Sequence, residues 1–430
     1  MTSYALILSL GAVLFIGPPS HAGQLPRTER IRSEAYQKLH PDKKITPKEL
    51  EQAKQSIERF AVQLQLLESK TTDPGRKQHF ETQRRFCEDL SRTLDTIVRR
   101  GTIHATLPDE NFTALHYAVC LGLTDVAEML LQHGADPNAL LEPSSQRPLW
   151  WACRWDQPES IRLLLKYGAN PDDIDAQGTT CLFEADPAEA RILIEEGHAD
   201  ILSARHSPIH PASVLHSACS GYIPKKHTLM RDRTSRWELY RDQVSRDGID
   251  PDFVRYLIEK GCDVNLGNGT RGTPLHRAVK TNLPDIAEIL LQRGADPDAT
   301  DGYGTTPLLT AAEYADSDIG KLLLKYKANP NKANTQGVTP LIRSLTADKT
   351  DDQQRLDMAE LLLQNNADPN MADAQGITPL HLAARSDDLH MARLLLRHKA
   401  DPSLRTKEGK TPADEAGSNA MKKLLTAPNP

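Results

Sequence analysis

The sequence lacks the features that mark several common classes of protein. Aromatic residues make up only 5% of its 430 residues and the formal net charge is −6, so the composition does not indicate a nucleic-acid-binding protein. No Ser/His/Asp or Cys/His constellation, Gly-rich phosphate loop or zinc-ligand spacing stands out. The sequence therefore predicts no catalytic residue, no metal site and no cofactor.

Long apolar runs are also absent, apart from one near the amino terminus. Residues 5–16 are apolar or small and uncharged, 17–19 break the run, and 20–22 give a small-x-small sequence. This pattern favours a signal peptide over residues 1–22, cleaved near Ala22, although no Lys or Arg precedes the run. An uncleaved anchor and a buried helix are the alternatives, and the run is too short to span a bilayer comfortably. We therefore expect a secreted or periplasmic protein with no transmembrane segment after cleavage.

What the sequence does contain is a repeated unit, which is clearest over residues 272–298. Thr273 suits a helix N-cap, Pro274 suits the first helical position, and His276 can bond back toward Thr273. A second helix with an apolar stripe follows and ends at Gly294, the residue type that enters the left-handed conformation most freely. Two such short helices cannot bury their apolar faces alone, so the unit needs neighbours.

The neighbours are present in the same phase. A core leucine recurs at a nearly constant interval through much of the chain, at Leu115, Leu149, Leu182, Leu215, Leu275, Leu308, Leu341 and Leu380. The Thr-Pro-Leu-His core and the recurring Ala-Asp-Pro-Asn ending resemble the ankyrin repeat, whose period of about 33 residues is also the commonest interval between these leucines. The resemblance covers about residues 109–425. It implies an all-α solenoid of helix–turn–helix repeats with hairpin-like turns.

The phase divides the chain into segments. Eight repeats fill about 109–403, and they occupy 109–138, 143–172, 175–200, 213 onward, 268–299, 301–331, 334–370 and 373–403. The fourth repeat carries an insertion of about 221–248. A C-terminal capping half-repeat follows at 404–425, with a tail at 426–430.

The region before the repeats is predicted to be helical. Gly101 precedes Leu115 by the same interval as Gly294 precedes Leu308, so 87–108 is interpreted as a degenerate first half-repeat. Residues 23–86 are then expected to form a helical N-terminal cap over the open end of the stack. The alternative is that this segment is a separate functional domain.

Ankyrin repeats bind partner proteins through a concave face made of turn tips and the exposed sides of the first helices. Register relative to the core leucines selects ten candidates: Phe112, Leu121, Trp151, Arg154, Trp155, Tyr303, Glu313, Tyr314, Arg343 and Arg385. Aromatic and Arg side chains are the types that dominate binding energy at interfaces. The alternative for Trp151 and Trp155 is packing against the N-terminal cap.

The insertion in repeat four is rich in basic residues interleaved with aromatic ones. Its candidate residues are Lys225, Lys226, Arg231, Arg233, Arg236 and Arg241. The alternatives are a solvated helical flap, a surface for an acidic protein or glycan, and a nucleic-acid site, the last of which an exported protein rarely needs.

The six cysteines do not form an obvious disulfide framework. Cys153 and Cys219 fall where ankyrin repeats bury a small residue, and stacked helices about 8–10 Å apart exceed the about 7 Å reach of a disulfide. They are expected to be buried small hydrophobic residues, whereas the pattern decides nothing for Cys87, Cys181 and Cys262.

Together these features predict a monomeric, exported, non-enzymatic scaffold that binds another protein through the concave face. The alternatives are a secreted effector acting in another cell, and an enzyme with its activity in the N-terminal region or the insertion. An ankyrin array specifies architecture but not partner.

Overall fold

The computed structural model describes residues 44–106, 112–141, 144–176, 178–201, 214–219, 250–268, 272–347 and 351–426. Within these ranges the chain is helical, and its only β-type pairings are isolated bridges. In chain order the α-helices are α1 (Pro47–Lys70), α2 (Pro74–Arg100), α3 (Ala114–Cys120), α4 (Thr124–Gln132), α5 (Pro148–Arg154), α6 (Pro158–Lys166), α7 (Pro187–Glu195), α8 (Val214–Ala218), α9 (Pro251–Glu259), α10 (Pro274–Lys280), α11 (Pro284–Gln292), α12 (Pro307–Glu313), α13 (Ser317–Lys325), α14 (Pro340–Leu345), α15 (Asp352–Gln364), α16 (Pro379–Arg385), α17 (Leu389–Arg397), α18 (Pro412–Glu415) and α19 (Asn419–Thr426). The predicted all-α repeat fold is confirmed.

The helices form two stacked columns. First helices of the repeats contact the first helices of their neighbours, as α10, α12, α14 and α16 do, and second helices contact second helices, as α11, α13, α15 and α17 do. The core leucines Leu275, Leu308, Leu341 and Leu380 are almost completely buried between the columns. In repeat three the first helix is reduced to a single 3-10 turn, Cys181–Phe183. The reason is that this repeat has fewer residues between its core leucine and the end of its second helix than its neighbours have.

The Thr–His pair of the repeat core has two bonding roles in the structure. The N–H of Thr273 donates to Nδ1 of His276 (3.1 Å), so the ring proton resides on Nε2, which donates to the carbonyl of Thr305 in the next repeat (2.9 Å). His381 makes the same pair of bonds, to Thr378 and to the carbonyl of Lys410. Each such histidine therefore caps its own helix and fastens it to the following turn.

Burial opposes the protonation of three histidines at this position of the repeat core. Desolvation lowers the pKa of His116 from 6.5 to about 3 and that of His216 from 6.5 to about 4, and it also lowers the pKa of His276. The neutral ring is the form that the repeat architecture requires, because it must accept at one nitrogen and donate at the other.

Repeat two keeps its helix although it lacks the Thr–His pair. Arg147 occupies the N-cap position and makes no capping bond there. Its guanidinium instead pairs with Asp173 (2.9 Å) and donates to the carbonyl of Ile174 (3.2 Å). An inter-repeat ion pair thus replaces the inter-repeat histidine bond, and α5 retains the seven residues of α10.

A ladder of asparagines links the turns that follow the second helices. The amide of Asn370 donates to the carbonyl of Lys399 (3.2 Å), and its oxygen accepts from the N–H of Asp401 (2.7 Å). Asn331 makes the equivalent bonds to Asn366 and Asp368. One side chain therefore satisfies an unpaired carbonyl and an unpaired N–H in the next repeat.

The N-terminal helices form an antiparallel hairpin on the first repeat. Helix α2 packs on the first helix α3, whereas α1 packs on the second helix α4. Helix α2 ends at Gly101 in the left-handed conformation (φ 70°), but it runs without a break through residue 87. The boundary expected there, between a cap and a half-repeat, falls inside one helix, and that helix joins the first-helix column rather than the second.

The cysteines are buried and free in the described part of the chain. Cys153 and Cys219 fill the small core positions expected of them. Burial raises the pKa of Cys87 to about 12 and that of Cys262 to about 11, so these thiols are protonated at neutral pH. No helix in the described ranges is both long and apolar enough to cross a membrane.

Candidate protein-binding surface

The ten residues selected by register belong to two parts of the first-helix surface, which we define as the exposed sides of the first helices with the turns that precede them. One part lies on repeats one and two, beside α2. The other lies on repeats six to eight. The two parts differ in how far their side chains are exposed to solvent.

On repeats one and two, α2 covers much of the first-helix surface. Leu121 is 2% exposed and Trp155 is 5% exposed, so the expectation that they point into solvent is wrong. The cause for Trp155 is α2, since the ring of Phe86 lies 5.3 Å from the indole and His79, nearer the start of that helix, stacks on it at 5.3 Å. Trp155 therefore packs against the N-terminal helices, which was the alternative interpretation of its position in the sequence.

Phe112 and Trp151 are half-buried members of the same aromatic cluster. Their rings meet edge to face at 4.9 Å, and Phe112 lies 5.8 Å from Phe86. Tyr117 completes the cluster, with no exposed surface and an edge contact of 5.3 Å to Phe86. It follows the core leucine by two residues, so the register rule places it on this surface as well, and our selection missed it.

Arg154 is held by its own helix and by the next repeat. Its guanidinium donates to Glu184 in repeat three (2.9 Å) and lies 5.4 Å above the ring of Trp150. Burial raises the pKa of Glu184, and Arg154 opposes that rise. This pair contributes to the stacking of repeats two and three.

On repeats six to eight, the predicted residues remain accessible. Tyr303 is 63% exposed at a turn tip, and its backbone is braced because its carbonyl accepts from both the N–H (3.2 Å) and the hydroxyl (2.9 Å) of Thr335. Glu313 is exposed and Tyr314 is half-buried at the end of α12. A rigid backbone presenting an open tyrosine ring is a suitable contact for a partner.

The two arginines of this part differ in their partners. Arg385 is exposed and forms two bonds of 2.7 Å to the carboxylate of Glu415, which raises the pKa of Arg385. Arg343 is half-buried on α14, and among the described residues its guanidinium makes no hydrogen bond or ion pair. A planar fork of donors in that situation suits a carboxylate brought by a partner.

The basic insertion lies outside the described residues, which stop at 219 and resume at 250. Its Lys225, Lys226, Arg231, Arg233, Arg236 and Arg241 therefore stay a sequence prediction.

One cluster of three acidic side chains contains a helix-capping pair. Asp156, Asp186 and Glu189 place carboxylate oxygens within 4.8 Å of one another. Asp186 and Glu189 each accept from the other's backbone N–H at the start of α7, which is a capping box. Helix initiation brings these two carboxylates together.

Comparisons with known protein families find ankyrin repeats in several parts of the chain. Models of ankyrin repeats match residues 294–373 and 351–429 (three copies), 257–308 (many copies), and 110–140 and 146–176 (single repeats). Together these spans exceed half of the chain.

The curated relatives are similar over parts of their length. The chain is 28% identical over 208 residues to ankyrin repeat and SOCS box protein 16 of Homo sapiens, covering 44% of this chain and 45% of that protein. It is 32% identical over 144 residues to E3 ubiquitin-protein ligase Ufd4 of Drosophila melanogaster, covering 33% and 5%. It is 36% identical over 76 residues to palmitoyltransferase ZDHHC17 of Homo sapiens, covering 17% and 12%. The chain thus spans less than half the length of each of these relatives.

Proposed function

Because the chain belongs to the ankyrin repeat family, we propose that it is a scaffold that binds another protein through the first-helix surface of repeats six to eight. The observation that carries this proposal is the contrast between the two parts of that surface. On repeats one and two, the aromatic candidates are packed under α2. On repeats six to eight, Tyr303 is open and Arg343 has no partner among the described residues.

The chemistry of this surface suggests what the partner presents. Tyr303 offers a rigid aromatic ring and Arg343 a guanidinium, which are types enriched among residues that dominate interface energies. Glu313, exposed at the end of α12, adds one negative charge to this surface. A partner segment with a carboxylate for Arg343 and an apolar or aromatic residue for Tyr303 would match the pattern.

Three further proposals concern the location of the scaffold, its oligomeric state and its lack of enzymatic activity. Residues 5–16 support export with cleavage near Ala22, and mass spectrometry of the protein recovered outside the cytoplasm would test it by finding Gly23 as the first residue. We propose that the exported chain is a monomer, which sedimentation equilibrium would test by its mass. We also propose that it is non-enzymatic. The ligase and palmitoyltransferase named above are covered only to 5% and 12% of their length, so their activities are not carried over.

The test of the scaffold role is a comparison of two double variants. Tyr303→Ala/Arg343→Ala removes the contacts offered by the first-helix surface. Lys321→Ala/Lys325→Ala changes two cations on the second helix α13, on the other side of the same repeats. Immobilised proteins would be exposed to extract of the producing cells, with far-ultraviolet circular dichroism confirming that both variants are folded.

The proposal expects a protein retained by the parent and by the second variant but lost by the first. Equal retention by both variants would place the site elsewhere and contradict the proposal. So would the loss of that protein only from Lys321→Ala/Lys325→Ala.

A further inference from the structure

The second-helix side of the stack changes its charge abruptly at the C-terminal end. Every second helix from α4 to α15 contains at least one acidic residue. The last two, α17 (LHMARLLLR) and α19 (NAMKKLLT), contain none. Their exposed cations are Arg393, Arg397, Lys422 and Lys423, which we name the basic end face.

Three of the four cations, Arg393, Arg397 and Lys423, lie on the same side of the molecule. Lys422 matches the position of the buried Ala392, and its charge adds to the bonds from Thr411 that lower the pKa of Asp414 on α18. On α17, Met391 and Leu395 are buried, and on α19, Met421 and Leu425 are buried at the same spacing. Arg393 and Lys423 each follow the buried methionine by two residues, so they occupy matching positions on adjacent helices. Arg397 lies one turn beyond Arg393. Exposed side chains of adjacent second helices do reach each other in this stack, as Lys325 and Glu288 show at 3.1 Å.

The basic end face is also unlike other cationic positions on second helices. Arg162 pairs with Glu196 at 3.0 Å, Lys166 with Glu128 at 3.0 Å, and Lys321 with Asp318 at 3.4 Å. Among the described residues, none of the four cations of the basic end face forms an ion pair with an acidic side chain. The acids nearest to α17 in sequence, Asp388 and Asp401, flank that helix and accept from backbone N–H groups.

We propose that the basic end face binds the anionic headgroups of a lipid surface. The face carries positive charge on two neighbouring helices and contains no aromatic residue. Aromatic side chains are the platforms that single-stranded nucleic acids stack on, and protein interfaces combine such aromatic anchors with Arg, whereas this face has Arg and Lys alone. Long, flexible, positively charged side chains without aromatic anchors are suited to a surface on which the negative charge is spread over many headgroups. The net charge of −6 does not oppose this locally, since fields are screened within about 10 Å at moderate salt.

The size of the effect follows from the number of cations. Each Lys or Arg near an anionic membrane strengthens binding roughly fivefold, so removing four should weaken it by up to roughly 600-fold. The interaction should also disappear as salt is raised toward about 0.5 M, because the contact is electrostatic. This surface is opposite the first-helix surface, so the inference does not depend on the proposed partner site.

The experiment measures co-sedimentation of the full chain with two kinds of vesicle, one of phosphatidylcholine alone and one of phosphatidylcholine and phosphatidylglycerol mixed two to one. Neutral vesicles report any binding through residues 5–16, and the increment on anionic vesicles reports charge. The test variant is Arg393→Gln/Arg397→Gln/Lys422→Gln/Lys423→Gln. The matched control is Arg162→Gln/Lys166→Gln/Lys321→Gln/Lys325→Gln, which removes the same charge from ion-paired cations on other second helices.

The expected result is loss of the anionic increment in the test variant and its retention in the control. Equal loss in both would mean that only total charge matters, and retention in both would place the binding elsewhere; either overturns the proposal. Competition by millimolar inorganic phosphate, beyond that of sodium chloride at equal ionic strength, would replace the lipid surface with a phosphate site. Binding of polyglutamate or duplex DNA without vesicle binding, lost in the same test variant, would replace it with an acidic protein or a nucleic acid.

Discussion

Acidification should destabilise the solenoid through its buried histidines. His116 and His216 have pKa values of about 3 and about 4 in the folded protein, against 6.5 ordinarily. Below pH 6.5 the unfolded chain takes up protons that the folded chain cannot, so stability is complete above that pH and is lost as the pH falls. At pH 5.5, one unit below the unfolded value, each of the two residues costs about 1.4 kcal/mol.

The loss for both residues is therefore about 3 kcal/mol between pH 7.5 and pH 5.5. Urea unfolding would measure it, with circular dichroism for the whole stack and tryptophan fluorescence for repeats one and two. Three of the four tryptophans, Trp150, Trp151 and Trp155, lie in repeat two, next to the repeat that holds His116. Fluorescence is therefore the local probe for this histidine.

The variant His116→Gln isolates the effect, since glutamine does not titrate. Its stability should depend less on pH than that of the parent, by about 1.4 kcal/mol over the same interval. Burial also raises the pKa values of Asp136 and Glu184, and these two residues make the folded protein more stable as the pH falls. Because both are present in the parent and in the variant, their contributions cancel in the difference. Identical pH dependence in parent and variant would refute the assignment of the loss to His116.

Three further predictions concern the fold. Asn370→Ala should lower the free energy of unfolding by about 1–2 kcal/mol, because it removes both bonds to the next repeat; Gln364→Ala, at an exposed site nearby, should change it little, and equal effects would contradict the ladder. Phe86→Ala should cost about 3–5 kcal/mol and shift tryptophan emission to longer wavelength as Trp155 becomes wet; unchanged emission would show that α2 does not cover Trp155. Ellman's reagent should react with almost no thiol in the native protein and with six after denaturation, since the cysteines are buried; rapid native reaction would contradict that burial.

The repeat architecture was predictable because its signals are local. Thr273, Pro274 and His276 determine a helix start within a single turn, and Gly294 determines a helix end. Recurrence of these signals at a fixed period then implies stacking, whatever the rest of the chain does. The exposure of Tyr303 and Glu313 followed from the same register, because no other element covers their part of the surface in the described residues.

The arrangement around repeats one and two was not predictable in this way. Gly101 correctly marks the end of α2, but a stop signal does not say which column the helix joins. Burial of Trp155 depends on Phe86, which lies far earlier in the chain, and register within a repeat contains no information about that contact. The position of Arg147, where other repeats have Thr, contains no information about what stabilises α5 either, since its partner Asp173 lies in the next turn.

The most direct test of the scaffold role is site-specific photo-crosslinking in cells that produce the protein. A photoreactive phenylalanine analogue would replace Tyr303 on the first-helix surface in one strain and Lys321 on the second helix α13 in another. The account predicts one discrete protein adduct at position 303 that is missing at position 321 and is reduced when Arg343 is changed to Ala. An adduct of equal yield at both positions, or at position 321 alone, would contradict the assignment of the partner to the first-helix surface of repeats six to eight.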